Sequence, residues 1–307
     1  MIKQPLQLLV AVSILFLAAC KEDRPFHNTT ESTEIFSSSI AMNCLAFRKG
    51  GKGVVAGPTH MMYTKNGGLN WHFSNFLVSD TIHDLAFTSD TTVLAFGQNR
   101  IYYSENGGKS FAILDSDLGA TKAVVLDSNR VLALKTDSAL YLSNDYGYTS
   151  MRVSTGDSAI LNFDGSGDTI AVYMNHDTLL STNGGMQFNP YKELKKGESI
   201  AAGHQLLVTS QHRYNDSIWR AGTLEPSGFG DQYFEGKQAY VLSPKYCVAY
   251  SNYNVIASSN GGKNWDFLFH ESGASFRTTD MTFASDTLYI LESATDLGRS
   301  KIHTVTR

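Results

Sequence analysis

Short apolar runs recur along most of the chain, each separated from the next by a few polar or glycine-rich residues. Typical runs are Ile82–Phe87, Thr92–Phe96 and Ile101–Ser104. Runs of this length, rich in β-branched and aromatic residues and bounded by turn residues, predict β-strands. No segment outside the N-terminus shows a sustained helical period. The pattern therefore predicts an all-β protein with many short strands.

A polar motif interrupts these runs at nearly constant intervals. The copy at Ser258–Trp265 reads Ser-x-Asn-Gly-Gly-x-x-Trp, similar copies start at Thr64, Ser104 and Ser181, and a worn copy starts at Ser143. The Asn or Asp positions of successive copies are 40, 39, 38 and then 77 residues apart. The last interval is two periods, so one copy has decayed. A period of about 40 residues indicates a repeat architecture.

Each residue type in the motif has a role in a tight turn. The Asn or Asp side chain accepts hydrogen bonds from backbone N–H groups, and the second glycine can adopt a positive φ. The terminal aromatic ring can fold back and bury itself against the sheet. We therefore expect structural hairpin turns rather than catalytic or metal sites, and assign to them Asn66, Gly68, Trp71, Asn106, Gly108, Phe111, Asp145, Gly147, Asn183, Gly185, Phe188, Asn260, Gly262 and Trp265.

The motif resembles the Asp-box (BNR) repeat of sialidases, sortilin-type receptors and photosystem II assembly-factor-like β-propellers. The resemblance covers most of the chain after the N-terminus, and it implies that each box joins the third and fourth strands of a propeller blade. It indicates the fold strongly and the function only weakly, because propellers host many unrelated functions.

The period divides residues 34–307 into a single β-propeller of seven predicted four-stranded blades. The fifth blade is irregular, since the polar loop Gln211–Asn215 and Pro226 interrupt it. The last blade lacks one strand, which Ser32–Ser38 can supply, so that the ring closes without an open edge. A six-bladed ring with an extra terminal hairpin is the alternative.

The N-terminal segment has the features of an export signal. The apolar run Leu8–Leu17 is too short to span a bilayer comfortably, and it ends Leu17-Ala18-Ala19-Cys20. This ending resembles the bacterial lipobox, which implies a signal peptide over residues 1–19, acylation (palmitate) of Cys20 and a flexible tether over residues 20–33. A plain signal peptide that contains a cysteine is the alternative.

The acidic run that follows Cys20 bears on localisation. Lys21-Glu22-Asp23 resembles the export signal of surface lipoproteins in the Bacteroidetes group, so we expect an outer-membrane lipoprotein displayed on the cell surface. If the run is an ordinary polar tether, the periplasmic face is the alternative. The remaining cysteines, Cys44 and Cys247, fall in apolar strands of blades that are not neighbours, and we expect buried thiols and no metal or cofactor.

The charge and the motifs exclude several functions. The net charge of -4 gives no basic footprint for nucleic acid. The Arg-Ile-Pro of sialidases is absent, since Arg24-Pro25 is the only Arg-Pro pair, and arginines are few and scattered. Nothing matches a nucleophile elbow, a zinc-binding helix or a phosphate loop. We therefore expect a protein that is not an enzyme.

Two sets of loop residues are candidates for recognition and modification. In the propeller frame one face carries a set of His, Arg and Tyr side chains that could grip a partner, with the loop around Arg213 as the best single candidate. Asp followed by Ser or Thr and then Ala, Ile, Leu or Thr recurs eight times and resembles a Bacteroidetes O-glycosylation pattern, although turn chemistry explains it equally. The binding candidates are His60, Arg100, His176, His212, Arg213, Tyr253 and Arg299, and the glycosylation candidates are Thr81, Thr91, Ser138, Ser158, Thr169, Thr178, Ser217 and Thr287.

Taken together, the sequence favours a binding protein. We expect a membrane-anchored scaffold or assembly subunit with a protein partner in an envelope complex, as the resemblance to assembly-factor-like propellers implies. The alternative is a carbohydrate-binding or glycosidase-like surface propeller with a glycan ligand.

Overall fold

The computed structural model describes residues 32–76, 80–114, 119–127, 129–135, 139–153, 160–174, 178–192, 198–201, 207–210, 217–220, 223–226, 238–241, 246–250, 254–259, 266–270 and 275–306. These residues form antiparallel β-sheets joined by turns. A search of them for a helix long and apolar enough to cross a membrane finds none.

The strands are short, as the apolar runs predict. In chain order they are β1 (Thr33–Ser38), β2 (Cys44–Arg48), β3 (Lys52–Ala56), β4 (Met61–Thr64), β5 (His72–Phe73), β6 (Ile82–Phe87), β7 (Val93–Gly97), β8 (Ile101–Ser104), β9 (Ala112–Leu114), β10 (Lys122–Val125), β11 (Val131–Leu134), β12 (Leu140–Ser143), β13 (Met151–Arg152), β14 (Ile160–Ser166), β15 (Thr169–Met174), β16 (Thr178–Ser181), β17 (Asn189–Lys192), β18 (Glu198–Ala201), β19 (Leu207–Ser210), β20 (Ser217–Arg220), β21 (Thr223–Pro226), β22 (Gln238–Val241), β23 (Cys247–Tyr250), β24 (Asn254–Ser258), β25 (Asp266–His270), β26 (Arg277–Ala284), β27 (Thr287–Ala294) and β28 (Arg299–Thr306).

The strands assemble into one β-propeller. In the part of the chain that the structure describes, six four-stranded sheets are complete blades: β2–β5, β6–β9, β10–β13, β14–β17, β22–β25, and a last blade in the order β26, β27, β28, β1. Six complete blades match the alternative count from the sequence, but the terminal strands belong to a blade closed by β1 and do not form the extra hairpin expected with that count. The fifth place in chain order, where an irregular blade was predicted, holds two two-stranded sheets, β18–β19 and β20–β21, and β18 lies between β14 and β22.

The N-terminal strand closes the ring, as the sequence predicts. Strand β1 pairs antiparallel with β28, in a register that runs from Thr33 opposite Thr304 to Ser38 opposite Ser300. The Ser300 hydroxyl then accepts a hydrogen bond from the backbone N–H of Met42, at 2.7 Å, just before the first blade begins. The two ends of the chain therefore share one blade, and no strand edge is left between them.

The hydrophobic core lies between the blades. Each buried cluster draws its side chains from two successive blades, for example Phe36 and Leu291 of the last blade with Val55 of the first. The second strands are buried along their length: all five residues of Val93–Gly97 and all four of Val131–Leu134 are buried. A strand covered on both faces needs a continuous apolar run, which is the pattern seen in the sequence.

One predicted strand is much shorter than expected. The run Trp71–Phe76 predicts a fourth strand for the first blade, but β5 ends at Phe73. Ser74 still donates its backbone N–H to the carbonyl of Met61 in β4 at 2.9 Å, whereas Asn75 is bonded to the next blade: it donates its N–H to the carbonyl of Lys109 at 2.9 Å and accepts from the N–H of Phe111 at 3.2 Å. The backbone of Asn75 is therefore paired with the box of the second blade and not with its own sheet.

Candidate functional site

The box turns have one geometry in the four copies that are described. In each, an Asn or Asp Oδ1 accepts the backbone N–H four residues later, at 2.8 to 3.0 Å. The residue directly after the Asn or Asp donates its N–H to a carbonyl in the loop between the first two strands of the same blade, as Gly67 does to Gly51 at 2.7 Å. The boxes therefore clamp two loops together. The copy with Asn260, Gly262 and Trp265 lies outside the described residues.

The first residue of the motif has a role that the sequence analysis missed. The Ser181 hydroxyl donates to Asn183 Oδ1 at 2.9 Å and accepts the N–H of Gly185 at 2.9 Å. Thr64, Ser104 and Ser143 repeat this arrangement, and all four side chains are buried. The signal was present, since Ser or Thr stands two residues before the Asn or Asp in every copy.

The aromatic residues of the boxes pack between blades. Trp71 lies with its ring centroid 5.1 Å from Phe36 of the last blade and 5.8 Å from Phe47 of the first. Phe111 and Phe188 are half-buried against the neighbouring apolar clusters. The worn copy has Tyr146 at a φ of 64° where the other copies have glycine, a conformation that costs a side-chain-bearing residue energy.

The loop ends define two faces of the disc. We call the face that carries the box turns the box face, and the opposite one, which carries the loops between second and third strands, the loop face. His60, Arg100 and Arg299 are exposed on the loop face, in the first, second and last blades. The structure therefore places them on one side but on separate blades. His176, His212, Arg213 and Tyr253 lie outside the described residues.

A cavity of about 600 Å³ occupies the centre of the ring. Its lining comes mainly from the first strands of the first, second, third and last blades, and includes Cys44, Asp84, Lys122, Asp280 and Tyr250. Four of these residues stand in the first half of strands that start at the loop face, namely Cys44, Asp84, Lys122 and Asp280. Arg48, at the far end of β2, also lines the cavity, so its polar lining extends to the box face.

Two cavity carboxylates join neighbouring blades. Asp280 Oδ2 accepts the backbone N–H of Leu45 in the first blade at 2.9 Å, and Asp84 Oδ2 accepts that of Ala123 in the third blade at 2.9 Å. Each carboxylate also accepts the N–H of the residue that follows it, at 2.8 Å. These bonds fix the first strands of adjacent blades relative to each other around the cavity.

Burial changes the ionisation of the groups around this cavity. It raises the pKa of Asp280 to about 8, and the charge of Asp84 adds to the effect. Burial, followed by the charges of Asp280 and Asp84, also raises the pKa of the Cys44 thiol and of the Tyr250 hydroxyl well above their ordinary values. A thiol that stays protonated is a poor nucleophile. Cys44 is therefore a poor nucleophile in this cavity.

The ionisation of Asp280 predicts a pH-dependent stability. Its pKa is about 8 in the folded chain against an ordinary 3.8, so the folded state binds this proton more tightly than the unfolded state. The resulting stabilisation is fully present below pH about 4 and is lost as the pH rises through about 8. We expect urea unfolding to show a free energy of unfolding that falls across this window, and a much smaller fall in Asp280→Asn.

A matched control separates this carboxyl from the others. Asp90 is exposed and bonded to Arg48 at 2.7 Å, an interaction that lowers its pKa. Asp90→Asn should therefore keep the fall between pH 4 and 8 that the wild type shows. An unchanged fall in Asp280→Asn would contradict the assignment.

The remaining sequence candidates fall in several places. Cys44 is a buried free cysteine, and no group of three or more His, Cys, Asp or Glu in the described part of the chain could hold a metal ion. Thr91 stands in a box-face loop, Thr169 and Thr287 are the first residues of β15 and β27 at the same face, and Thr81 precedes the first strand of the second blade at the loop face. Glycosylation at these positions stays a prediction. Cys20, Ser138, Ser158, and the side chains of Thr178, Ser217 and Cys247 lie outside what the structure describes.

Comparison with known proteins supports the fold. No protein-family model matches the chain, and no curated protein matches it either. Among solved structures it is similar to YCF48 from Cyanidioschyzon merolae, with 13% identity, a TM-score of 0.69 and coverage of 90% of this chain and 98% of that one. A structure of YCF48 bound to a D1 peptide has the same TM-score and identity, with coverage of 90% and 97%.

Glycosidase propellers are similar as well. The GH74 xyloglucanase from Xanthomonas campestris has a TM-score of 0.61 at 13% identity over 86% of this chain, but the match covers only 52% of the enzyme. At these identities the likeness shows the fold alone. The chain is thus a β-propeller of the shape seen in YCF48 and in about half of a GH74 enzyme.

Proposed function

We propose that this chain is a lipid-anchored, protein-binding propeller that holds a peptide segment of an envelope partner at its loop face. The observation that carries the proposal is the likeness to YCF48 over nearly the whole of both chains, including a structure with a peptide bound. The sequence contributes the anchor, because Cys20 ends a lipobox-like segment.

The central cavity supports a binding role. Its polar groups include an ammonium, Lys122, two carboxyls that link blades, and the Tyr250 hydroxyl. Several polar groups that converge in one recess can fix the orientation of a bound partner. The rigid frame around it, in which Asp84 and Asp280 bond the backbone of the next blades, would keep these groups in place when a partner binds.

A glycosidase is the second candidate, and the likeness to GH74 propellers favours it. Such hydrolases commonly use a pair of carboxyls on either side of the scissile bond. Here both oxygens of Asp84 and of Asp280 accept backbone N–H groups, which gives these carboxyls a structural role. The arrangement therefore favours recognition over hydrolysis.

Affinity purification from gently solubilised native membranes, followed by quantitative mass spectrometry, tests the proposal. We expect a membrane partner at a stoichiometric level with the wild type, and its loss with Arg100→Glu on the loop face. Arg152→Glu is the matched control, because Arg152 is equally exposed but lies on the outer strand β13. Recovery of the chain alone, or the same loss with both variants, would refute a loop-face partner.

A further inference from the structure

The direction of β1 shows at which face the chain enters the propeller. Strand β28 runs from the loop face to the box face, because it follows a loop between second and third strands of its blade. Strand β1 is antiparallel to it, so Thr33 lies at the box face and Ser38 at the loop face. A Cβ on Gly68 of the first box would meet Ile35, two residues after Thr33. The chain therefore enters β1 at the box face.

The box face also carries exposed apolar side chains at one repeated position. The residue after the second glycine is Leu69 in the first box, Tyr148 in the worn box and Met186 in the fourth blade, with side chains 77%, 55% and 81% exposed. The same position in the second blade is Lys109, also exposed. Leu69 and Met186 are the two most exposed large apolar residues of the described chain. Three turn tips on one face thus present apolar or aromatic groups to the outside.

The charged side chains of this face differ in whether they form ion pairs. Arg48 pairs with Asp90, and Arg130 pairs with both Asp127 and Asp168, at 2.5 to 2.9 Å. Asp145 accepts hydrogen bonds within its own box. In contrast, Lys49, Lys65 and Lys109 are exposed, and no ion pair to them is found within the part of the chain that the structure describes. Glu105 of the second box and Asp145 of the worn box also stand on this face, so it carries exposed lysines together with acidic side chains.

We propose that the box face is the membrane-facing side of the protein and lies against the phospholipid surface. The proposal rests on the lipid anchor of the proposed function. Shallow insertion of leucine, methionine and tyrosine at the headgroup level, together with lysines near anionic lipid, is the usual chemistry of a peripheral membrane surface. From Cys20 to Ser32 there are 12 residues, and a random-coil chain of that length has an end-to-end distance on the order of 20 Å. The anchor is thus short enough to hold this face near the bilayer.

Fluorescence quenching by lipid tests which face is in contact. The full acylated chain is reconstituted in vesicles of phosphatidylethanolamine and phosphatidylglycerol that contain a nitroxide-labelled lipid, with an environment-sensitive dye on Leu69→Cys or Met186→Cys. Leu297→Cys is the matched control, since Leu297 is also an exposed leucine, 52% exposed, but lies in a loop-face turn. We expect the dye to lose emission at positions 69 and 186 and to keep its emission at position 297.

Two other measurements complete the test. Replacing Lys49, Lys65 and Lys109 together by glutamine should reduce the quenching at position 69 while the chain remains on the vesicles. Equal quenching at positions 69 and 297, or none at either position on vesicles that carry the chain, would overturn the proposal. So would intact-mass detection of glycans on Thr91, Thr169 and Thr287, since sugars there would stand between this face and the lipid.

The design separates this proposal from the one on which it rests. Flotation of the wild-type chain, compared with Cys20→Ala, reports the anchor alone, and a failure of both to float would refute the anchor and the membrane-facing surface together. Partner recovery with Arg100→Glu reports the loop face alone. A chain that floats and recovers its partner but shows no quenching at positions 69 and 186 contradicts only the orientation.

Discussion

Gly108→Ala should lower the free energy of unfolding by about 3 kcal/mol, because it combines an unfavourable φ with a steric overlap. Gly108 has a φ of 90°, in the left-handed region, and a Cβ built on it would overlap the Val54 side chain of the preceding blade. Val54 is fully buried and cannot move aside without disturbing the first blade. The measurement is the midpoint and slope of urea unfolding.

The neighbouring glycine provides the control. Gly107 has a φ of 71°, but nothing lies within 4 Å of a Cβ built on it. Gly107→Ala should therefore cost only the backbone strain, about 1 kcal/mol. If the two variants lose the same stability, the close approach of box and preceding blade is not what requires the second glycine.

Phe36→Ala should destabilise the protein by about 3 to 4 kcal/mol, as large-to-small changes of buried aromatic residues do. Phe36 is 8% exposed, packs against Trp71 with ring centroids 5.1 Å apart, and belongs to the apolar cluster between the last and first blades. The change removes the main apolar contact through which β1 holds the ring closed. Thermal or urea unfolding of the full chain measures the loss.

The control lies two residues earlier on the same strand. Glu34 forms only a partly exposed ion pair with Lys301, at 3.8 Å. Glu34→Ala should change the stability by less than about 1 kcal/mol, which is usual for such pairs. A loss in Phe36→Ala no larger than in Glu34→Ala would mean that β1 contributes little to closure of the ring.

Most of the fold could be predicted from the sequence because one motif marks the same place in each repeat. Once the turns are fixed at Asn66, Asn106 and Asn183, strand bounds follow within one or two residues, as for Ile82–Phe87 and Ile101–Ser104. The short β5 could not be predicted, because the bonds that end it come from Lys109 and Phe111 of the next blade. A local sequence pattern does not show which residues of neighbouring repeats will form hydrogen bonds with each other.

The candidate site was harder to predict, for a different physical reason. Asp84 and Asp280 stand at the same place in the first strands of their blades, in Ile82-His83-Asp84 and Thr278-Thr279-Asp280, so their recurrence was visible. The raised pKa of Asp280 could not be predicted from the sequence, because a value of about 8 arises only when the closed ring buries both carboxyls in one cavity. The loop-face candidates His60 and Arg100 could be placed on a face from strand order alone.

The pairing of β1 with β28 also determines the order in which the chain can fold. Each four-stranded blade from the first to the fourth is made of consecutive strands, and such local hairpins form early because their loops are short. The bond from Thr304 to the carbonyl of Thr33, in contrast, spans 271 residues. A chain that emerges from its N-terminus onward, at the ribosome or across a membrane, must hold β1 unpaired until β28 has arrived. Completion of the ring is then one late step, and until it occurs β28 offers a free edge to any other extended chain nearby.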